Sequence, residues 1–330
     1  MKKILITILV TSISLFVACS SAKKTPAPQP DNESVVYMTT DITPEALVEI
    51  YNALGVKLQG RVAVKISTGE PGGHNFLQPA LIAGLVKSVD GTIVECNTAY
   101  AGKRYTSEDH WQAIKDHGFL DIAKVDIMDE EGEFQIPVAD SSHIKYDIVG
   151  THMKNYDSMI SLAHFKGHAM GGFGGVLKNQ SIGVASANGK TNIHTAGLVQ
   201  SKEAIWDGIA KTEQDDFLES MAAAAQAVHN YFGEGNVVYI NVMNNLSVDC
   251  DCDSHPHDPE MKDIGILAST DPVALDQACV DLVFNYPSKD DDNAAALIER
   301  INSRHGIHTI EHAEKIGLGS RNYRIVSIDK

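Results

Sequence analysis

Between Ser161 and Gly197 the chain concentrates groups that move protons or hold anions: His164, Lys166, His168, Lys178, Lys190 and His194. Imidazole titrates near neutrality, and lysine supplies a fixed positive charge or an amine. Among them crowd Gly167, Gly171, Gly172, Gly174 and Gly175. Glycine loses more freedom on folding than any other residue, so such density implies positive φ or close backbone approach. The run reads as a ligand site. His168, Lys178, His164 and Lys166 are its candidate catalytic groups, and Gly171, Gly172, Gly174 and Gly175 are its cradle. Lys178 is expected at the start of a helix, where backbone amides and an ammonium would hold a carboxylate or phosphate. Asn179 follows it, so this is not the GxxxxGK[ST] phosphate loop, and nucleotide hydrolysis is not supported. His164 and His168 are four apart, a metal-binding spacing on a helix, but the glycines between and after them argue for a loop.

A second constellation is Asp249-Cys-Asp-Cys-Asp-Ser-His-Pro-His-Asp258. Thiolates, imidazoles and carboxylates this dense suit a transition metal, with Cys250, Cys252, His255 and His257 as ligands. The competing reading is a polar surface loop in which Cys250 and Cys252 form a short-range disulfide. Lys65, Glu70 and His74 form a third group, and Glu95, Asn97 and Arg104 a fourth. Each is more often a surface or hydrogen-bonding residue than a catalytic one. His308 and His312 read as surface residues.

These groups need elements to position them. Strands are expected at 35–39, 61–67, 92–96, 124–128, 159–164, 237–243, 264–269 and 324–328. Helices are expected at 43–54, 79–89, 107–117, 206–211, 217–232, 273–284, 293–304 and 310–316. Thr43 before Pro44 and Asp271 before Pro272 are helix-start signals. Segments 134–137 and 144–151 read as strands of a small excursion. Alternating strands and helices imply an α/β fold, a mixed, mostly parallel sheet with helices on both faces. Ligands in such sheets gather beyond the carboxyl ends of the strands. Loops 68–75, 97–104 and 166–178 all leave strands there.

The amino terminus is a targeting segment. Lys2 and Lys3 precede an apolar run, and Phe16-Val-Ala-Cys19 resembles a lipobox, so residues 1–19 read as a lipoprotein signal peptide with Cys19 as the lipidated residue. Residues 20–34, with Pro26, Pro28 and Pro30, read as a flexible tether. Residues 35–330 then form one α/β domain, or two intimate lobes, at the bacterial cell envelope, with Cys19 joining it to the membrane. The formal charge of −16 repels phosphate backbones, which argues against nucleic acid and for a small anion or metal. Five cysteines, one of them Cys19, are too few for a disulfide scaffold at this size.

Six stretches carry a resemblance: Val94-Glu-Cys-Asn-Thr-Ala-Tyr100, His164-Phe-Lys-Gly-His168, Gly171-Gly-Phe-Gly-Gly175, Leu177-Lys-Asn179, Val248-Asp-Cys-Asp-Cys252, and Asp263 to Asp276. The chain from Val35 onward resembles the bacterial domain-of-unknown-function family 362, often labelled iron–sulfur centre proteins. It lacks the CxxCxxC insert of some members, so the resemblance does not extend to an iron–sulfur cluster. The segment His168 to His194 is also similar to the cofactor segment of nickel-pincer lactate racemases. That similarity implies His168 as an acid/base, Lys178 as the covalent cofactor anchor and His194 as the metal ligand. The racemases' other acid/base histidine would fall near Gly102-Lys-Arg104, where this chain has none. The expectation is a metal- or metal-cofactor-dependent enzyme acting on a small organic acid, with nickel, zinc or iron as the metal. The alternative is a non-catalytic lipoprotein that binds a metal or small anion.

Overall fold

Seven strands that run one way bring their carboxyl ends to a single edge. The computed structural model describes residues 33–330. The segments expected to be a signal peptide with Cys19 and, up to residue 32, a tether lie outside the described residues. The chain first lays down β1 (Ser34–Thr39), α1 (Pro44–Ala53), β2 (Val62–Lys65), α2 (Pro79–Ser88), β3 (Thr92–Glu95), α3 (Ser107–Asp116) and β4 (Val125–Ile127). A hairpin of β5 (Glu133–Pro137) and β6 (Tyr146–Gly150) forms the expected excursion. Next come β7 (Ser158–His164), β8 (Lys166–His168), β9 (Gly172–Gly174), α4 (Val176–Gln180) and α5 (Ala187–His194). The remainder is α6 (Ile205–Ile209), α7 (Gln214–Phe232), β10 (Val237–Met243), β11 (Gly265–Ser269), α8 (Pro272–Phe284), α9 (Ala295–Ser303), α10 (Ile307–Lys315) and β12 (Tyr323–Ser327).

Eight strands form the main sheet in the order β12-β1-β11-β10-β7-β2-β3-β4. Only β11 opposes its neighbours; every other pairing is parallel. This is the mostly parallel α/β sheet expected. Thr43 caps α1 by accepting from the Ala46 amide, and Asp271 caps α8 by accepting from the Val273 and Ala274 amides.

The two central strands are apolar on both faces, as strands covered twice must be. Ile160, Leu162, Val238, Ile240 and Val242 pack with Leu47 and Ile50 of α1 and Leu85 of α2. Met159, Ala163, Val237, Tyr239 and Met243 alternate to the other side, with Ala222 and Ala225 of α7 and Val273 and Ala278 of α8. Each Leu or Ile so buried contributes roughly 1.5–3 kcal/mol. Two polar residues interrupt the second face. Ser161 Oγ accepts from Asn179 Nδ2 at 3.0 Å, and Asn241 Nδ2 donates to Asp276 Oδ1 at 2.8 Å. Both contacts position α4, which carries Lys178.

At the shared edge β2 ends on Lys65, β3 on Glu95 and β7 on His164. Helix α5, with His194 in its last turn, has no counterpart among the expected helices. Gly189 and a run of polar residues hide it, and the Ser186 hydroxyl, accepting from the Gly189 amide, caps it.

Candidate active site

A small cavity of about 70 Å³ opens at the strand ends. Lys65, Glu95, Arg104, Lys166, Lys178 and Asp251 supply charge to its lining, and Lys190 adds another ammonium. A volume this size holds a few waters or one small anionic group.

One side of it is fully compensated. Glu95 Oε1 accepts from Arg104 Nη1 at 2.8 Å, and its Oε2 meets the Thr68 amide at 3.0 Å and His110 Nε2 at 3.2 Å. Arg104 Nε reaches Glu70 Oε2 at 3.2 Å. Burial pushes the Glu95 carboxyl up, but Arg104 and His110 overcome it and hold the group well below the carboxylate range. Asp251 is a second buried carboxylate. Its Oδ1 accepts from His164 Nδ1 at 2.8 Å, and its Oδ2 faces Lys166 Nζ at 2.9 Å. Burial again opposes the charge, and His164 and Lys166 hold Asp251 far down. His164 Nε2 faces the Asn244 carbonyl at 2.6 Å. Both ring nitrogens of His164 are thus engaged by groups of the protein itself. Lys166 likewise spends its ammonium on Asp251 and on the His164 carbonyl at 2.8 Å.

On the other side no ammonium has a carboxylate in contact among the described residues, and Glu95 and Asp251 act on Lys65 and Lys178 only at longer range. Lys65, 1% exposed, donates among the described residues to the Ile66 carbonyl at 2.5 Å and to Asn179 Oδ1 at 3.2 Å. Burial lowers it to about 8. Lys190 donates to the Ala185 carbonyl at 2.6 Å and the Cys96 carbonyl at 3.5 Å. Among the described residues the Lys178 side-chain amine makes no hydrogen bond and no ion pair, although it lines the cavity. Burial, then the charges of Lys166 and Lys65, bring its amine down to about 7. An ammonium at that value is partly neutral at physiological pH, and a neutral amine is a nucleophile and a base.

His168 and His194 stand close by and are tuned differently. His168 Nδ1 accepts from the Gly171 amide at 2.9 Å and the Met170 amide at 3.3 Å. Its proton therefore sits on Nε2. Burial, then Lys178 and His194, hold the ring neutral by depressing its pKa well below the usual value. His194 Nδ1 donates to the Lys190 carbonyl at 2.6 Å, which leaves a lone pair on Nε2. Burial brings His194 down to about 4, and its ring stacks on Phe217 at 5.1 Å.

The glycine-rich run is an antiparallel hairpin of β8 and β9. Most of its glycines make room for protein rather than ligand. A Cβ at Gly167 would collide with the Val248 backbone, and one at Gly175 with the Asp276 carboxylate. Gly174 and Gly175 line the cavity; Gly171 and Gly172 are not part of its lining. Helix α4 begins at Val176, so Lys178 lies within it rather than at its start. Its leading amides are not free for an anion. Val176 N and Leu177 N donate to the two oxygens of Asp276, each at 2.9 Å. The expected amide cradle is thus filled by the protein's own carboxylate, a partner about a hundred residues away in sequence.

Cys250 and Cys252 are joined as a disulfide at the cavity wall. In that state neither offers a thiolate. A ring nitrogen of His168 and the two sulfurs all lie within 4.8 Å of one another, so the two loops meet at one site. His255 and His257 do not join that group. Both are exposed: His255 Nδ1 meets Ser254 Oγ and His257 Nδ1 meets Asp249 Oδ2. Asp251, between the cysteines, proves to be the chemically engaged member of that loop. Sequence reasoning also missed His110 and Asp276, each polar on a helix with no spacing to mark it. His74 is exposed against Asp258.

The model of the family described as "Domain of unknown function (DUF362)" matches residues 62–281. The chain belongs to that family. No curated protein matches it. Among solved structures it is similar to the lactate racemase apoprotein from Thermoanaerobacterium thermosaccharolyticum, at 15% identity and a TM-score of 0.44. That match covers 77% of this chain and 58% of the other.

Proposed function

We propose that the cavity is the active site of an enzyme that acts on a small organic acid, moving a proton at the carbon beside its carboxylate. The supporting observation is Lys178: an amine near pKa 7 that, among the described residues, has no carboxylate in contact, beside Lys65 and Lys190, which also have none there. Lys65 and Lys190 attract the substrate carboxylate and stabilise negative charge that develops next to it. The neutral Lys178 amine takes the proton. His168, protonated at Nε2 and uncharged, donates a hydrogen bond to the substrate oxygen.

The resemblance also implies a metal-containing cofactor, and two residues fit one. Lys178 has an amine with no other partner, and His194 presents a lone pair on Nε2 fixed by its bond to the Lys190 carbonyl. When bound, such a group supplies an acceptor for hydride. Lys178 then serves as the attachment point, while Lys65 and Lys190 keep their role toward the carboxylate. The leader ending at Cys19 supports placing this activity at the cell envelope.

The test follows hydrogen–deuterium exchange at the α-carbon of 2-hydroxy and 2-oxo acids by NMR, with intact mass measured on protein taken from its own cells. The reading expects exchange that falls at least about a hundredfold in Lys178→Met. It fails if no acid exchanges and the mass shows no adduct. The smallness of the cavity favours a second reading, non-catalytic capture of a small anion; binding without exchange would select it.

A further inference from the structure

Away from the cavity, α7 and α10 face each other through a ladder of carboxylates and imidazoles. Asp215 and Glu219 are one turn apart on α7, and His308 and His312 one turn apart on α10. His305 Nδ1 meets Asp215 Oδ1 at 2.6 Å. His308 Nε2 meets Glu219 Oε1 at 3.1 Å, and His312 Nε2 meets Asp140 Oδ2 at 2.7 Å. His143 Nε2 reaches Glu219 Oε2 at 2.8 Å. His312, expected at the surface, is only 3% exposed. Among the described residues no lysine or arginine pairs with Asp140, Asp215, Asp216 or Glu219. Four carboxylates whose only cationic or titratable partners among the described residues are imidazoles leave a local excess of negative charge, although Asp140 also accepts from the Ser142 amide and hydroxyl.

We propose that Asp215, His305 and His308 bind a divalent transition metal of the zinc class at the α7–α10 seam. One donor atom from each lies within 4.8 Å of the others. Two imidazoles and a carboxylate are the donor set that zinc takes in open sites, and Asp215 and His305 are exposed enough to turn inward. A second observation points the same way. His312 Nδ1 is buried without a hydrogen bond, although Glu219 Oε1 lies 3.2 Å away. That oxygen is shared with His308 Nε2. A metal that draws His308 Nε2 to itself releases Glu219 to His312. Glu219 and Asp140 then act as positioning residues for the imidazoles around the ion.

The experiment titrates Co²⁺ and Zn²⁺ into full-length, chelator-dialysed protein, reading cobalt absorption and the thermal midpoint. One equivalent is expected to bind, with a rise in Tm, because the ion favours the folded chain. Affinity is expected to fall about a hundredfold or more in His305→Asn/His308→Gln, and about tenfold in Glu219→Gln. It is expected to be unchanged in the cavity variant Lys178→Met/His194→Gln. Asp215→Asn, a half-exposed change that cannot unfold the chain, must also weaken binding. The proposal is overturned if neither ion binds the wild type, or if binding survives in His305→Asn/His308→Gln and disappears in the cavity variant.

Discussion

The two sides of the cavity hold the same kinds of residue and do opposite things with them. On one side Arg104, His110 and Glu70 close on Glu95, and His164 and Lys166 close on Asp251, so every buried charge has a partner. On the other, among the described residues, the amines of Lys65 and Lys190 meet carbonyls and an amide oxygen, and that of Lys178 meets no hydrogen-bond partner. Burying an ion is costly unless another ion answers it. The compensated side has its answer within the chain and is architecture. The other side lacks such an answer in contact, and the proposed anionic ligand would supply it.

That contrast breaks most sharply at Glu95. Glu95→Gln takes the carboxylate from His110 and leaves Arg104 with Glu70 alone, and should cost about 3–5 kcal/mol in urea unfolding. Asp251→Asn should cost about 3 kcal/mol, since His164 and Lys166 lose their shared partner. Both carboxyls sit below their unfolded values. Their contribution is therefore complete above the unfolded carboxylate pKa and lost as pH falls through the folded one, and each variant should show a shallower acid limb in its urea midpoint than the wild type, lacking its own share.

Lys178 should show the reverse. Lys178→Met removes an unanswered charge, so its stability should match or exceed that of the wild type while anion binding is lost. The folded pKa of about 7 lies below the reference of 10.5. The unfolded chain thus binds more protons between those values, and wild-type stability rises with pH there. The advantage of Lys178→Met should be greatest below pH 7 and gone by pH 10.5, as paired urea midpoints would show. The smallest effect belongs to His255→Ala and His257→Ala, both exposed. Each should stay within about 0.5 kcal/mol of wild type and leave anion binding intact.

Much of this was legible in the chain itself. Apolar runs with capped helix starts such as Thr43-Pro44 and Asp271-Pro272 marked the elements of the sheet, and strand-end loops marked the edge where ligands gather. Lys178, His168 and His194 stood out by type; Lys178 lines the cavity, and the two histidines lie near it outside the lining. What stayed hidden depends on distance in sequence. Nothing near Gly175 announces that Asp276 will occupy the amides of α4. Nothing near Cys250 says that Asp251, rather than the histidines after it, will turn inward. The glycines signalled close approach correctly, but whether a ligand or Val248 approaches Gly167 is a property of the fold. His312 looked like surface because its carboxylate partners come from α7 and from the segment before β6.

The account stands or falls on the amine of Lys178. Its reactivity toward a small acylating reagent, followed from pH 5 to 11 at the level of the single peptide, should rise with a midpoint near 7. A midpoint near the ordinary lysine value of about 10.4 would contradict it.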